Sequence, residues 1–237
     1  MSIISKNIDI VLPLFNPPQQ WSEDIVQNFN ALVKSFDRNW VFELTIVDDG
    51  NLMDLSTGKA IIEREIPGVT WITYSENQGK GFALRKGIQN LTGDITVYTD
   101  YDFPYQIENM KDMINRLNED EADVLVGVRD ENYYRHISFL RNAISKVLKM
   151  MNVVFLKLST ADTQCGLKAF NQRGRAIFLE TNTNRYLVDV EFLKRLSKTD
   201  LSVKTHAVQL RTDVELSEIK NLKLIREMIS YIRILLS

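Results

Sequence analysis

Asp100 and Asp102 directly follow a hydrophobic run, Ile95-Thr96-Val97-Tyr98-Thr99. Such a run reads as a buried strand, which puts the pair at the strand's carboxyl end. Asp-x-Asp in an extended or turning loop can aim two hard oxygen donors at one place. Carboxylates that close repel unless a cation or hydrogen-bond donors lie between them. Mg2+ or Mn2+ bridging to a diphosphate meets that need, because these ions take one or two carboxylates plus phosphate oxygens. Alone, Asp-x-Asp serves as readily as an acidic turn that caps the next helix. Its position straight after a buried strand favours the metal reading.

Asp48 and Asp49 end another strand-like run, 42–47, in the same way. A carboxylate there can accept from ribose hydroxyls or a base N–H; equally, Asp49-Gly50 is a plain turn. Asn77-Gln78-Gly79-Lys80-Gly81 follows a third run and opens a helix. Its glycines would let backbone N–H groups approach an anion at the helix start. It is not a P-loop, since Gly79 and Gly81 are too close and no Lys-Ser/Thr pair follows. It is not a full dinucleotide fingerprint, because Leu84 stands where a small residue belongs. Asp162-Thr163-Gln164-Cys165-Gly166-Leu167-Lys168 gathers polar groups between apolar segments. Cys165 reads as a small buried packing residue. Neither His136 nor His206 has a nucleophile or carboxylate at catalytic spacing, which disfavours Ser/His/Asp and Cys/His schemes. Arg129, Arg141, Lys168 and Arg211 are candidates for phosphate pairing.

The elements that position these residues alternate. Strands are expected at 9–14, 42–47, 69–74, 94–99 and 123–128, with helices at 22–36, 54–65, 81–91 and 107–117 between them. That alternation predicts an α/β fold with a mainly parallel sheet covered on both faces by helices. Ligands then bind outside the carboxyl ends of the strands. Farther on, a helix is expected at 139–158, a loop at 159–166, a helix at 189–197, a strand at 202–210 and an amphipathic terminal helix at 221–237. No linker or repeat divides the chain. The expectation is one domain over 1–237, with a nucleotide-binding half at about 1–128 and an acceptor half at about 129–237.

The chain has 237 residues, with 29 basic and 31 acidic side chains and a net charge of −2. That balance excludes a bulk electrostatic nucleic-acid binder. A single cysteine excludes a disulfide framework and any cysteine-built zinc site. No signal-like leader and no run of about 18–20 apolar residues is read. The expected location is cytoplasmic, with peripheral contact at the inner face of a membrane as an alternative. The terminal helix would dock on its own core or a second subunit, giving a homodimer, or lie on an anionic membrane.

Taken in order, these segments resemble the family 2 glycosyltransferases of the GT-A fold. Val11-Leu12-Pro13-Leu14-Phe15-Asn16 is similar to that family's Val-Pro-x-Tyr-Asn opening, and Ile46-Val47-Asp48-Asp49-Gly50-Asn51 to its Val-Asp-Asp-Gly-Ser. Asn77-Gln78-Gly79-Lys80-Gly81 resembles Asn-x-Gly-x-Gly, and Asp100-Tyr101-Asp102 resembles the metal-binding Asp-x-Asp. Asp162 to Phe170 resembles the Asp-x-Gln-Cys-Gly-Phe-Lys-x-Phe segment of the polyprenyl-phosphate branch, which includes dolichyl-phosphate glucosyl- and mannosyltransferases. Tyr186 to Leu193 is similar to its Phe-Asp-Val-Glu-Leu segment.

The resemblance implies a GT-A (nucleotide-diphospho-sugar transferase) fold, a UDP- or GDP-sugar donor, Mg2+ or Mn2+, and inversion at the anomeric carbon. It implies nucleotide-sugar binding by Pro13, Asp48, Asp49, Asn77, Lys80, Asp100, Arg129 and Arg211, and metal binding by Asp100 and Asp102. Arg141, Ser145 and Gln164 are the implied acceptor contacts, the acceptor being polyprenyl phosphate and the setting cell-envelope glycan synthesis. A lipid phosphate is already ionised and needs no base, whereas a hydroxyl acceptor would need a carboxylate, with Asp162 first and Asp189 second. The alternative is a non-catalytic nucleotide-sugar-binding or scaffolding protein on the same fold.

Overall fold

The computed structural model describes residues 6–129, Val153, 162–163 and 165–212. The helices expected at 139–158 and 221–237, and the acceptor candidates Arg141, Ser145 and Gln164, lie outside the described residues.

The elements run β1 (Lys6–Leu14), α1 (Trp21–Lys34), β2 (Trp40–Asp49), α2 (Ser56–Glu65), β3 (Thr70–Tyr74), α3 (Lys80–Ile88), β4 (Ile95–Tyr98), α4 (Ile107–Asn118), β5 (Val124–Arg129), β6 (Lys168–Asn171), α5 (Gln172–Leu179), α6 (Val188–Leu196) and β7 (Val203–Val208). Seven strands form one sheet in the order β3-β2-β1-β4-β6-β5-β7. β1 pairs in parallel with β2 and β4, β2 with β3, and β5 with β7. Only β6 is reversed, antiparallel to both β4 and β5.

The alternation of β1 decides its two faces. Ile8, Ile10, Leu12 and Leu14 join one buried cluster with Trp21, Ile25, Phe29 and Leu32 of α1 and with Met110, Met113 and Ile114 of α4. Val11 points the other way, into a second cluster with Ala83, Leu84 and Ile88 of α3, Phe178 of α5 and Val190 and Phe192 of α6. This period of two is what a strand buried on both faces requires. Gly87 lets α3 lie close on the sheet, since a Cβ there would come within 2.5 Å of Val11 Cγ1.

Sequence reading omitted β6 and α5. β6 is short and begins with Lys168, a charge that breaks the apolar pattern but is fully buried. α5 is polar, and its start is signalled by Asn171, whose side chain accepts from the backbone N–H groups of Arg173 and Gly174. That cap was a legible N-terminal signal.

The strand order turns at β1: β2 and β3 lie on one side of it and β4 on the other. In parallel sheets that reversal opens a crevice at the carboxyl ends of the two flanking strands. Asp48 and Asp49 are the last residues of β2, and the loops after β1 and β4 carry Asn16 and Asp100-Tyr101-Asp102. No helix of the described residues is long and apolar enough to cross a membrane.

Candidate active site

Asp100 and Asp102 occupy the loop that leaves β4 at the crevice. The loop turns sharply, with Phe103 at φ 44° and its N–H donated to the Asp100 carbonyl. Phe103 is fully buried, which anchors the turn. Arg211 clamps the loop from the far side: its Nη1 donates to the carbonyls of Asp102 and Phe103 at 3.2 and 3.3 Å, and its N–H to the carbonyl of Pro104. An isolated bridge between Tyr105 and Leu210 ties the same two segments together.

The two carboxylates differ. Asp100 is the more open; its Oδ1 accepts from Lys80 Nζ at 2.6 Å, and its side chain is 41% exposed. Its Oδ2 lies against Gly166, where a Cβ would approach to 2.2 Å, so a side chain there would have to displace the carboxylate. Asp102 Oδ1 is buried and has no hydrogen-bond partner among the described residues. Burial first, and then the negative charge of Asp100, push the Asp102 carboxyl up to about 6; Arg211 and Lys80 pull the other way. The Lys80 ammonium is shifted upward too, but by its charge partners and against burial. Burial alone would lower it, but Asp100 and then Asp189 hold it above the ordinary lysine range.

An orphaned carboxylate oxygen beside a second carboxylate is the donor set a hard divalent cation prefers. No group of three His, Cys, Asp or Glu residues able to hold a metal occurs among the described residues. A cation held by Asp100 and Asp102 would therefore complete its shell with ligand oxygens or water, which suits Mg2+ or Mn2+ bound together with a phosphate.

The loops after β2 and β3 are built differently. Asp49 is 2% exposed. Its carboxylate accepts from Tyr74 Oη at 2.7 Å, Asn77 Nδ2 at 2.8 Å, the Gln78 N–H at 2.9 Å and the Gly79 N–H at 3.0 Å. The anion cradled by the Asn77–Gly81 segment is thus the protein's own Asp49. The first turn of α3 is covered as well: the Phe82 N–H donates to the Asn184 carbonyl, and a Cβ on Gly81 would meet the Thr183 carbonyl at 2.2 Å. Gly79, at φ 98°, makes the turn that permits this. Asp48 is half-buried and accepts from the Asn51 N–H and Nδ2. Asn51 also donates to the Leu14 carbonyl and accepts from the Asn16 N–H, joining the β1 and β2 loops. Pro13 lies within β1 opposite Val47 and is partly exposed at the same crevice.

The two carboxylates considered as bases are both committed to cations. Asp162, 2% exposed in its side chain, accepts from Arg129 Nε at 2.8 Å and Nη2 at 2.5 Å, and from the Arg129 N–H. Asp189 is the second candidate base. It is buried in the second core, 2.8 Å from Lys168 Nζ, and accepts from Tyr98 Oη at 2.5 Å. Lys168 is corrected from a phosphate contact to a fully buried ion-pair partner that also donates to the Cys165 carbonyl at 2.7 Å. Cys165 is buried as expected, and burial pushes its thiol up to about 11.

Sequence reasoning missed Tyr74, Tyr98 and Gly166. The two tyrosines end strands and look like core residues; only the aspartate that each meets across the fold reveals its role. Gly166 follows the buried cysteine and carries no signal for its contact with Asp100.

Comparison with known proteins bears on this arrangement. The fold is shared with mannosyl-3-phosphoglycerate synthase from Rubrobacter xylanophilus, at TM-score 0.72 and 14% identity over 97% of this chain and 73% of that one. It is shared too with glucosyl-3-phosphoglycerate synthase from Mycobacterium tuberculosis, solved with Mn2+ and UDP, at TM-score 0.65 and 15% identity over 96% and 78% of the two chains. These are GT-A glycosyltransferases, and the α/β sheet described above is that fold. In sequence, the chain is 24% identical over 216 residues to the dolichyl-phosphate beta-glucosyltransferase of Dictyostelium discoideum, covering 85% of this chain. It is 25% identical over 226 residues to that of Saccharomyces cerevisiae, again covering 85% of this chain. It spans between 60% and 67% of the length of three such relatives. The family described as Glycosyl transferase family 2 matches residues 9–175, more than half of the chain and inclusive of both acidic loops, and to that family this chain belongs.

Proposed function

We propose that this chain is an inverting glycosyltransferase that moves a sugar from a UDP-sugar, or alternatively a GDP-sugar, to polyprenyl phosphate with the help of Mg2+ or Mn2+. The observation that carries the reading is the unpartnered, buried Oδ1 of Asp102 beside the open carboxylate of Asp100, at the crevice where the strand order turns. The relatives support the acceptor class by their names, and the structural neighbour solved with Mn2+ and UDP supports the donor class.

The chemistry follows from charge. An acceptor phosphate oxygen attacks the anomeric carbon, and the new C–O bond forms on the face opposite the departing diphosphate. The old sugar–oxygen bond breaks, and its electron pair leaves on the β-phosphate. A divalent cation, when bound, neutralises the charge that builds on the leaving group. Lys80 brings a cation to the same place. Arg211 holds the loop carbonyls and so fixes the Asp100–Asp102 spacing before the reaction starts. Such preorganisation favours the transition state over the ground state. Pro13, with the loops that Asp48, Asp49, Asn77 and Asn51 tie together, forms the wall beside the base and ribose. The family resemblance assigns Arg141, Ser145 and Gln164, which lie outside the described residues, to the acceptor.

The commitment of Asp162 to Arg129 and of Asp189 to Lys168 favours a phosphate acceptor over a hydroxyl. A phosphate is ionised near neutral pH and surrenders no proton, so neither carboxylate has to act as base. With a lipid acceptor, the chain works at a membrane surface.

The test has two arms. Thermal unfolding is followed with UDP, GDP and their sugars, with and without Mn2+; a ligand at one hundred times its dissociation constant adds about 2.7 kcal/mol. Transfer to a short-chain polyprenyl phosphate is then measured. Metal-dependent stabilisation by UDP together with transfer is expected. No stabilisation by any nucleotide, or full transfer by Asp102→Asn, overturns the reading.

A further inference from the structure

Lys80 is the first residue of α3, and its side chain is 11% exposed. Asp100 is the only hydrogen-bond partner of its ammonium among the described residues. The oxygen it holds is Oδ1. One side of the other oxygen, Oδ2, is covered by Gly166. A cation approaching Asp100 therefore meets a carboxylate whose charge is already matched by the Lys80 ammonium at Oδ1.

We propose that Lys80 is a resident counter-ion of Asp100, and that its exchange makes metal binding conditional on a nucleoside diphosphate. The inference rests on the donor-binding reading above. With Lys80 in place, Asp100 is neutralised and one negative charge, on Asp102, remains. A divalent cation alone would leave the cluster with net positive charge, 2.6 Å being too short for the ammonium to stay unmoved. Parting the ammonium from Asp100 while it stays largely buried would leave an uncompensated charge, which is costly. A diphosphate changes this. It supplies oxygens for the metal and others for the ammonium, and a lysine on its flexible four-carbon stem can follow them. Metal and diphosphate then bind as a unit, and each tightens the other by the same factor.

A purely structural salt bridge and a counter-ion predict opposite signs for one variant. Mn2+ binding is measured by electron paramagnetic resonance and calorimetry, alone and with UDP, on the full chain and on Lys80→Met. The unmodified chain is expected to bind Mn2+ weakly alone and far more tightly with UDP. In Lys80→Met, Mn2+ alone should bind about tenfold more tightly, the order expected when a charge near 5 Å is removed in a high-dielectric setting. The enhancement by UDP should shrink in the same variant, and Lys80→Arg should restore it. Unchanged or weaker binding of Mn2+ alone in a folded Lys80→Met, or undiminished enhancement by UDP, overturns the proposal; Lys80→Gln carries the same test should the methionine variant not fold. If the unmodified chain binds neither UDP nor GDP with Mn2+, the donor reading fails. Tighter binding of Mn2+ alone by Lys80→Met under that result would still bear out the counter-ion, and its absence would overturn that too.

Discussion

The Asp48-Asp49 end of β2 and the Asp100-Tyr101-Asp102 loop after β4 stand at the same end of the same sheet and read alike in composition. They differ in how many donors the fold brings to them. Asp49 receives two side-chain and two backbone donors, and Asp48 receives the Asn51 amide. Among the described residues, the Asp100 carboxylate receives only Lys80, and Asp102 Oδ1 receives nothing. A carboxylate whose acceptors are filled from within is a structural post. One left short of donors, beside a second negative charge, is a ligand-binding group. Residue type and strand position did not separate the two loops; the donor inventory does.

The largest expected break in that contrast is Asp102→Asn. The variant removes a charge that burial and the neighbouring Asp100 disfavour, so its fold should be as stable as before or more so. Transfer should fall by about 10²–10³-fold, the scale seen when one preorganised electrostatic group is lost. Steady-state turnover and denaturant unfolding of one sample check both halves. Asp49→Asn should do the reverse. Its new amide would point N–H groups at the donors of Asn77 and Gly79, and stability should drop by about 2–4 kcal/mol, since bonds to a charged acceptor are worth about 1.5–3 kcal/mol each. Urea unfolding measures it. Nucleotide binding, where the variant still folds, should weaken through the displaced loop. A stable Asp49→Asn with normal loop geometry would erase the distinction.

pH sharpens the same contrast. The folded Asp102 carboxyl lies at about 6, above its ordinary value of 3.8. Between those values the unfolded chain has released the proton and the folded chain still holds it. The unfolded state therefore binds fewer protons, and stability falls as pH rises. The contribution of Asp102 is present in full below about pH 4 and is lost by about pH 6, on the order of 1–3 kcal/mol. The difference in unfolding free energy between the unmodified chain and Asp102→Asn, followed from pH 4 to pH 7, isolates it. A flat difference would show that Asp102 ionises like an exposed carboxylate.

Most of the parallel sheet was legible because its strands are long apolar runs and its helices carry a clear 3.6-residue period. β6 was not, because Lys168 sits where a strand reader expects an apolar residue. Its charge is matched by Asp189 on α6, a partner far away in sequence. The same blindness touched the site. Asp100, Asp102, Lys80 and Arg211 were all named from sequence, and the fold gathers them at one loop. Their division of labour was invisible, as was the filling of Asp49 by Tyr74 from the neighbouring strand. Sequence shows which groups can carry charge, whereas pairing depends on contacts across tens of residues.

The smallest effect, and the finest test of the donor count, belongs to Asp48. It is half-buried, and only Asn51 donates to it among the described residues. Asp48→Asn keeps the shape and an acceptor oxygen in the Oδ1 position, so both Asn51 donors keep an acceptor, though a neutral one. The loss should be about 0.5–1.5 kcal/mol, the worth of an ordinary hydrogen bond. Asn51→Ala should cost somewhat more, because Asn51 also joins the Leu14 carbonyl and the Asn16 N–H and so links the β1 and β2 loops. The double variant should cost less than the sum of the two, since residues that share a bond are not additive. A double-mutant cycle by chemical denaturation gives the coupling directly. A coupling of zero would mean that Asp48 is not held by Asn51 in solution; its carboxylate would then join Asp100 and Asp102 as a group available to ligand.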